Sequence, residues 1–129
     1  MDEKQGKAIT AQREPLNRIS FRLYPTDKQK LLSAFPGDLA FAYTHLVTRI
    51  IAGEISLSYL AEYPERTKRN EKKVQVQPLI GYKLKNAFET YCYERGVTPS
   101  VIAIGLASAL IDQKITLNLV VDEEAKNGQ

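Results

Sequence analysis

The sequence predicts a mostly α-helical chain with short β-strands, in which one strand–helix–helix unit occurs twice. Two patterns and one repetition predict it. From Arg18 to Tyr24, the apolar Ile19, Phe21 and Leu23 alternate with Arg18, Ser20 and Arg22, the period of two expected of a strand with one buried face. Leu39, Tyr43, Leu46, Val47, Ile50 and Ile51 recur at spacings of three and four, the period of a helix. The same succession returns more loosely between Lys73 and Asp112: Asp38 and Thr98 stand 60 residues apart, and Leu46, Ile50 and Ile51 reappear at that shift as Leu106, Leu110 and Ile111.

In the first unit, residues 17–53, the strand is followed by Pro25 and by Thr26, which precedes Gln29 by three positions. This spacing predicts a helix from about Asp27 whose start is capped by the Thr26 hydroxyl. Leu31, Leu32 and Phe35 give that helix its apolar side, and Pro36 with Gly37 stop it. Asp38 is then placed to cap the second helix, which Gly53 ends.

In the second unit, residues 73–112, Val74 and Val76 alternate with Lys73, Gln75 and Gln77, while Leu84, Phe88 and Tyr91 supply a helical stripe that Gly96 breaks. Thr98 is placed to cap a last helix with Pro99 at its first position. The strands match at a shift of 55, from Ile19 to Val74, so the second unit's first helix should be longer by about one turn. At that shift Pro78 stands where the first strand has Leu23, which shortens the second apolar row to two valines. A single unit of this size has too little core to fold alone, so the two copies should complete each other.

A strand with a polar, cationic face, followed by two helices of which the second is capped, resembles the ribbon-helix-helix family of DNA-binding proteins, the Arc and MetJ type, here as a tandem pseudo-dimer within one chain. RISFRL, Arg18 to Leu23, is similar to the opening strand of that family. The resemblance implies that the two strands pair into an antiparallel ribbon lying in the major groove of double-stranded DNA. It places Arg18, Ser20 and Arg22 with Lys73, Gln75 and Gln77 facing the bases, and Asp38, Thr98 and Ser100 at helix starts that hold phosphates. Asp38 departs from the pattern, because it sets a carboxylate beside a phosphate. The family further implies a repressor of transcription, or an accessory factor for plasmid partition or transfer, with pseudo-dimers associating along the DNA.

Several features bound this reading. The chain has 129 residues, a net charge of +3 and a pI near 9.0, which permits a nucleic-acid partner without demanding one. One cysteine excludes an internal disulfide framework, no apolar run approaches a membrane span, and the opening residues lack the apolar core of a signal peptide. A cytoplasmic, nucleoid-associated protein with no membrane contact is expected. Residues 1–16 read as a polar, flexible tail rather than a groove-entering arm. Residues 54–72 read as a linker with a short helix over Ser56 to Tyr63, ended by Pro64 and followed by a solvated charged run that includes Arg66, Lys68 and Arg69.

Val101 to Ile111, VIAIGLASALI, is apolar on nearly every side, so it should be buried on nearly every side, with Gly105, Ser108 and Ala109 small enough to admit another helix. The tail, residues 113–129, carries a further strand pattern in Ile115, Leu117, Leu119 and Val121, for which a minimal tandem ribbon has no place. It either adds to the sheet edge of a partner or pairs within the chain and makes a small α+β domain of another kind.

No catalytic constellation is present. His45 is the lone histidine and sits at a helical position beside Leu46; Cys92 lies between Tyr91 and Tyr93 as a small buried filler. Together they give too few ligands for a metal, and there is no phosphate loop or nucleophile elbow. No enzyme and no cofactor are expected. The rival expectation is a protein-interaction module of α+β type, acting in an obligate oligomer without DNA.

Overall fold

The computed structural model describes residues 15–35, 38–63 and 70–117. Among these the chain forms two short strands, β1 (Leu16–Arg18) and β2 (Phe21–Leu23), then the helices α1 (Pro25–Ala34) and α2 (Leu39–Ile51). A short helix, α3 (Leu57–Ala61), follows in the connection; then come β3 (Val74–Val76), β4 (Leu79–Gly81), α4 (Tyr82–Glu94) and α5 (Pro99–Ile111). The fold is thus mostly helical with short antiparallel strands, and no single helix among the described residues is long and apolar enough to cross a membrane.

The four strands form two antiparallel pairs that share one register and so act as one ribbon with a break at its centre. β1 pairs antiparallel with β4 from Leu16 opposite Gly81 to Arg18 opposite Leu79, and β2 pairs with β3 from Phe21 opposite Val76 to Leu23 opposite Val74. In every pair the two residue numbers add to 97, so the register never slips. Between the two stretches the Ile19 N–H donates to the Pro78 carbonyl at 3.0 Å, and beyond β4 the Tyr82 N–H donates to the Pro15 carbonyl at 2.7 Å, both in the same register. The ladder is interrupted at its centre because proline has no N–H with which to return the bond.

This register corrects the expected second strand. Pro78 does not end it; the strand continues to Gly81, and its inward row is Val76, Pro78 and Ile80, all buried beside Ile19, Phe21 and Leu23. The first unit's strand and helix start recur at a shift of 57, from Pro25 to Tyr82, whereas the second helices recur at 60, from Leu39 to Pro99. The difference is taken up in the first helices, 10 residues in α1 against 13 in α4.

Two expected caps are also corrected. α1 begins at Pro25, not near Asp27, with Tyr24 at the N-cap and no side-chain capping bond, because the fixed φ of proline suits the first helical position. Asp38 and Thr98 do occupy the N-cap positions of α2 and α5, yet neither side chain makes a capping hydrogen bond. Leu32, expected on the apolar side of α1, points outward at 40% exposure, since Leu31 already takes the buried face and adjacent helical residues diverge by about 100°.

The helix ends follow one plan. Gly53 and Gly96 have φ of 82° and 76°, the left-handed conformation that closes a helix. After α2 the Glu54 N–H donates to the Arg49 carbonyl at 2.9 Å, and after α5 the Lys114 N–H donates to the Ala109 carbonyl at 2.8 Å. In the second case Gln113 holds the left-handed position with φ 61°.

The core lies between the ribbon's inner face and the helices, and it is shared. α1 packs on α5 while α4 packs on α2, so each first helix rests on the second helix of the other half; β4 likewise lies on α2 and β2 on α5. Phe21 stacks on Tyr43 with ring centroids 5.5 Å apart, and the buried Tyr43 hydroxyl donates to the Ala103 carbonyl at 2.9 Å. Burial of this kind removes the apolar faces that each half alone would expose to water.

α5 is buried from Ile102 along most of its length, while Val101 at its start is exposed. Its extra cover is α3, the helix expected in the linker, whose start is capped by the Ser56 hydroxyl accepting from the Tyr59 N–H at 3.2 Å. A Cβ on Gly105 would lie 2.1 Å from the Leu60 carbonyl oxygen, so glycine is what lets α3 sit on α5. Tyr63 closes the contact by donating to the Asp112 carboxylate at 2.7 Å. Of the expected tail strand, Ile115 is buried, and Thr116 and Leu117 continue without a regular strand; Leu119 and Val121 lie outside the described residues, as do the Pro36–Gly37 stop, Pro64, Arg66, Lys68 and Arg69, and all but the end of the N-terminal tail.

Candidate functional site

Alternation along a strand sends every second side chain to the opposite face, so burying Ile19, Phe21 and Leu23 obliges Arg18, Ser20 and Arg22 to face outward. All three are exposed, as are Gln75 and Gln77 on the facing strand. By the register these outward residues form opposed pairs: Arg18 with Leu79, Ser20 with Gln77, and Arg22 with Gln75. Five of the six base-facing positions expected from sequence therefore share one surface.

Lys73, the sixth, lies just beyond β3, where its ammonium sits over the Tyr24 ring at 5.2 Å from the centroid. It flanks the ribbon instead of standing within the paired rows. At the opposite end the paired outward row runs on past Gln77 to Leu79, facing Arg18, a position the sequence reading lacks because Pro78 reads as the strand's end. The signal was available: Leu79 follows Gln75 and Gln77 at the strand period of two.

Bonds across the ribbon hold the Arg18, Ser20 and Gln77 side chains, and a third bond ties α1 to the backbone at Gln75. The Gln77 amide donates to the Ser20 hydroxyl at 3.2 Å, the Arg18 guanidinium reaches the Gln77 carbonyl at 3.5 Å, and the Lys28 ammonium, from α1, donates to the Gln75 carbonyl at 3.1 Å. The result is a narrow platform carrying cations, amides and a hydroxyl in fixed order. Such groups can grip planar hydrogen-bonding edges, two donors at a time for arginine and donor with acceptor for glutamine.

On each side of the platform the start of a second helix approaches. At the start of α5, Thr98 and Ser100 line a pocket of about 340 Å³ together with Arg18, Ser20, Lys85 and Glu89. Glu89 is paired to Lys85 at 3.7 Å, which leaves the pocket with the Arg18 guanidinium, the hydroxyls of Ser20, Tyr93, Thr98 and Ser100, and the amides expected at a helix start beyond Pro99. At the start of α2 the matching pocket, about 330 Å³, contains Arg18 and Lys28 with Gln77, but Leu39 and Ala40 stand where α5 has Pro99 and Ser100. Asp38 is exposed at that helix start. The expected phosphate positions thus differ: Thr98 and Ser100 sit in a hydroxyl-lined, cationic pocket, whereas Asp38 stands exposed at the other helix start without lining the matching pocket.

Elsewhere the chemistry is quiet. Burial pushes the Cys92 thiol up to about 11, with Arg95 lowering it and Glu89 raising it, so it holds its proton. His45 is half-buried and stacks on Phe41 with centroids 6.1 Å apart. Among the described residues no group of histidine, cysteine and carboxylate side chains could hold a metal ion. Comparison of the chain with protein-family models, with curated proteins and with solved structures gives no match.

Proposed function

We propose that this chain binds double-stranded DNA as a tandem ribbon-helix-helix pseudo-dimer, laying the outward face of its ribbon in the major groove. The observation that carries the proposal is the unbroken register of the ribbon, which buries one row of side chains and presents Arg18, Ser20 and Arg22 beside Gln75 and Gln77. A two-stranded ribbon is one of the few elements the major groove admits. Arginine donates twice to guanine O6 and N7, and glutamine pairs with adenine N6 and N7, so these side chains suit direct reading of base edges.

The pocket at the start of α5 supports the same reading. A helix start offers unpaired N–H groups and the positive end of the helix dipole to an anion, and Arg18, Thr98 and Ser100 stand around it. A backbone phosphate beside the groove would lie within their reach and fix the ribbon's depth. At the other flank Asp38 opposes a phosphate, so the grip is one-sided. The resemblance to the ribbon-helix-helix family adds the role we propose with it, regulation of transcription as a repressor, or assistance in plasmid partition or transfer, with neighbouring chains associating along the DNA.

The test is binding to random-sequence duplexes across a salt series, followed by selection of a preferred site. Affinity should fall with salt at a log-log slope of about 0.9 per phosphate contacted. The double variant Arg18→Ala, Arg22→Ala should keep its fold, since both side chains project from the buried face, and should lose at least roughly 30-fold in affinity for the selected site if each contact contributes about 1 to 3 kcal/mol. Absence of binding at low salt refutes the proposal.

A further inference from the structure

We propose that the ribbon reads its site with a polarity along its own length: the Leu16 and Leu79 end packs against the 5-methyl groups of thymines, and the Arg22 and Gln75 end hydrogen-bonds purine edges. This rests on the DNA-binding reading above and assigns to each end of the platform the base chemistry it can recognise.

The outward face changes character from end to end. At one end Arg22 faces Gln75, Lys28 bonds the Gln75 carbonyl at 3.1 Å, and Lys73 stands over Tyr24. At the other end Leu16 is 65% exposed opposite Gly81, which has no side chain, and Leu79 stands opposite Arg18. Tyr82, 46% exposed, begins the helix beside them. Arg18, opposite Leu79, turns its guanidinium to the Gln77 carbonyl at 3.5 Å, so its donors lie toward the bases at the middle of the ribbon and Leu16 and Leu79 are left at this end.

A leucine cannot hydrogen-bond a base edge, and the apolar group that a base edge presents in the major groove is the thymine 5-methyl. The apolar end is continuous with the polar one along a single register, so a duplex that engages Arg22 and Gln75 brings its next bases against Leu79 and Leu16. From Arg22 to Leu16 the ribbon advances roughly 20 Å at about 3.3 Å per residue, several base-pair steps of about 3.4 Å, which separates the two chemistries into different halves of the site.

The experiment uses the whole chain and the selected duplex, with thymines replaced by deoxyuridine in one half at a time. This change removes the 5-methyl and nothing else. Loss of the methyls in one half should weaken binding roughly fourfold for each one contacted, and in the other half should leave it unchanged. In the double variant Leu16→Ala, Leu79→Ala the uracil duplex and the thymine duplex should bind alike. Equal tolerance of uracil in both halves overturns the proposal while the DNA-binding reading stands, and it is also the result expected if the apolar end serves a protein partner. An equal loss in both halves, or a uracil effect that survives in the double variant, overturns it as well. Failure to bind any duplex overturns both readings.

Discussion

Replacing Gly105 by alanine will destabilise this protein, although the same exchange in an exposed helix interior stabilises by about 1 kcal/mol. The new Cβ would lie 2.1 Å from the Leu60 carbonyl oxygen, where ordinary contact begins at 3.4 Å, so α3 must retreat from α5 by the difference of 1.3 Å. The obstacle is backbone and cannot rotate away. Retreat loosens the fully buried Leu60 and the Ile55 beside the helix start. Overpacking costs about 1 to 3 kcal/mol, and complete exposure of a leucine about 1.5 to 3 kcal/mol. Against the helical gain of about 1 kcal/mol, overpacking alone leaves a loss of about 0 to 2 kcal/mol and exposure of Leu60 adds to it, so Tm should fall by up to roughly 10 °C for a chain of this size. Thermal melts followed by circular dichroism measure the loss, and hydrogen exchange at residues 59–63 should accelerate more than exchange within α2. A Tm equal to or above that of the parent would show that α3 does not rest on Gly105.

Two further outcomes follow from the helix ends and the buried titratable groups. Gln113→Gly should stabilise by about 1 kcal/mol, since glycine takes the left-handed conformation without the steric cost that Gln113 bears at φ 61°; an unchanged denaturant midpoint would refute it. Stability should fall as pH rises from about 9 toward 11, because the unfolded chain releases the Cys92 proton near 9.0 while the folded chain holds it to about 11, so the unfolded state binds fewer protons across that window. The buried Tyr43 hydroxyl, raised well above its ordinary 10.0 by burial, extends the loss to higher pH, and Cys92→Ala should flatten the lower part of the profile in pH-dependent melts.

The parts of this fold that were legible in the sequence are those governed by neighbours a few residues away. The alternation of Ile19, Phe21 and Leu23 and the three-and-four spacing of Tyr43, Leu46, Val47 and Ile50 report local periods, and the buried residues match them. Gly53 and Gly96 mark helix ends for an equally local reason, the sign of φ. The outward face carrying Arg18, Ser20, Arg22, Gln75 and Gln77 follows from the same alternation.

What was not legible depends on distant partners. Pro78 reads as a strand's end when taken alone; its carbonyl is nonetheless used by Ile19, which holds the strand in register through the proline and brings Leu79 onto the outward face. Gly105 reads as a small residue in an apolar helix, but its reason lies at Leu60, in a different helix. Thr26 matches a capping pattern for a start at Asp27, while the helix start is set two residues earlier by Pro25. The contrast between the two helix starts was visible in Asp38 against Thr98, whereas the part of Lys85 and Arg18 in the α5 pocket required the fold.

The register of the ribbon also sets the order of events as the chain is made. Leu23 meets Val74 across 51 positions and Leu16 meets Gly81 across 65, and each first helix waits for the second helix of the other half. While the first half alone has left the ribosome, β1 and β2 have no partner and the apolar faces of α1 and α2 have nothing to rest on. Contacts of such long separation form late and slowly. A chain halted after residue 72 would therefore present an unpaired strand edge and the uncovered row of Ile19, Phe21 and Leu23, the combination that most readily recruits a second incomplete copy.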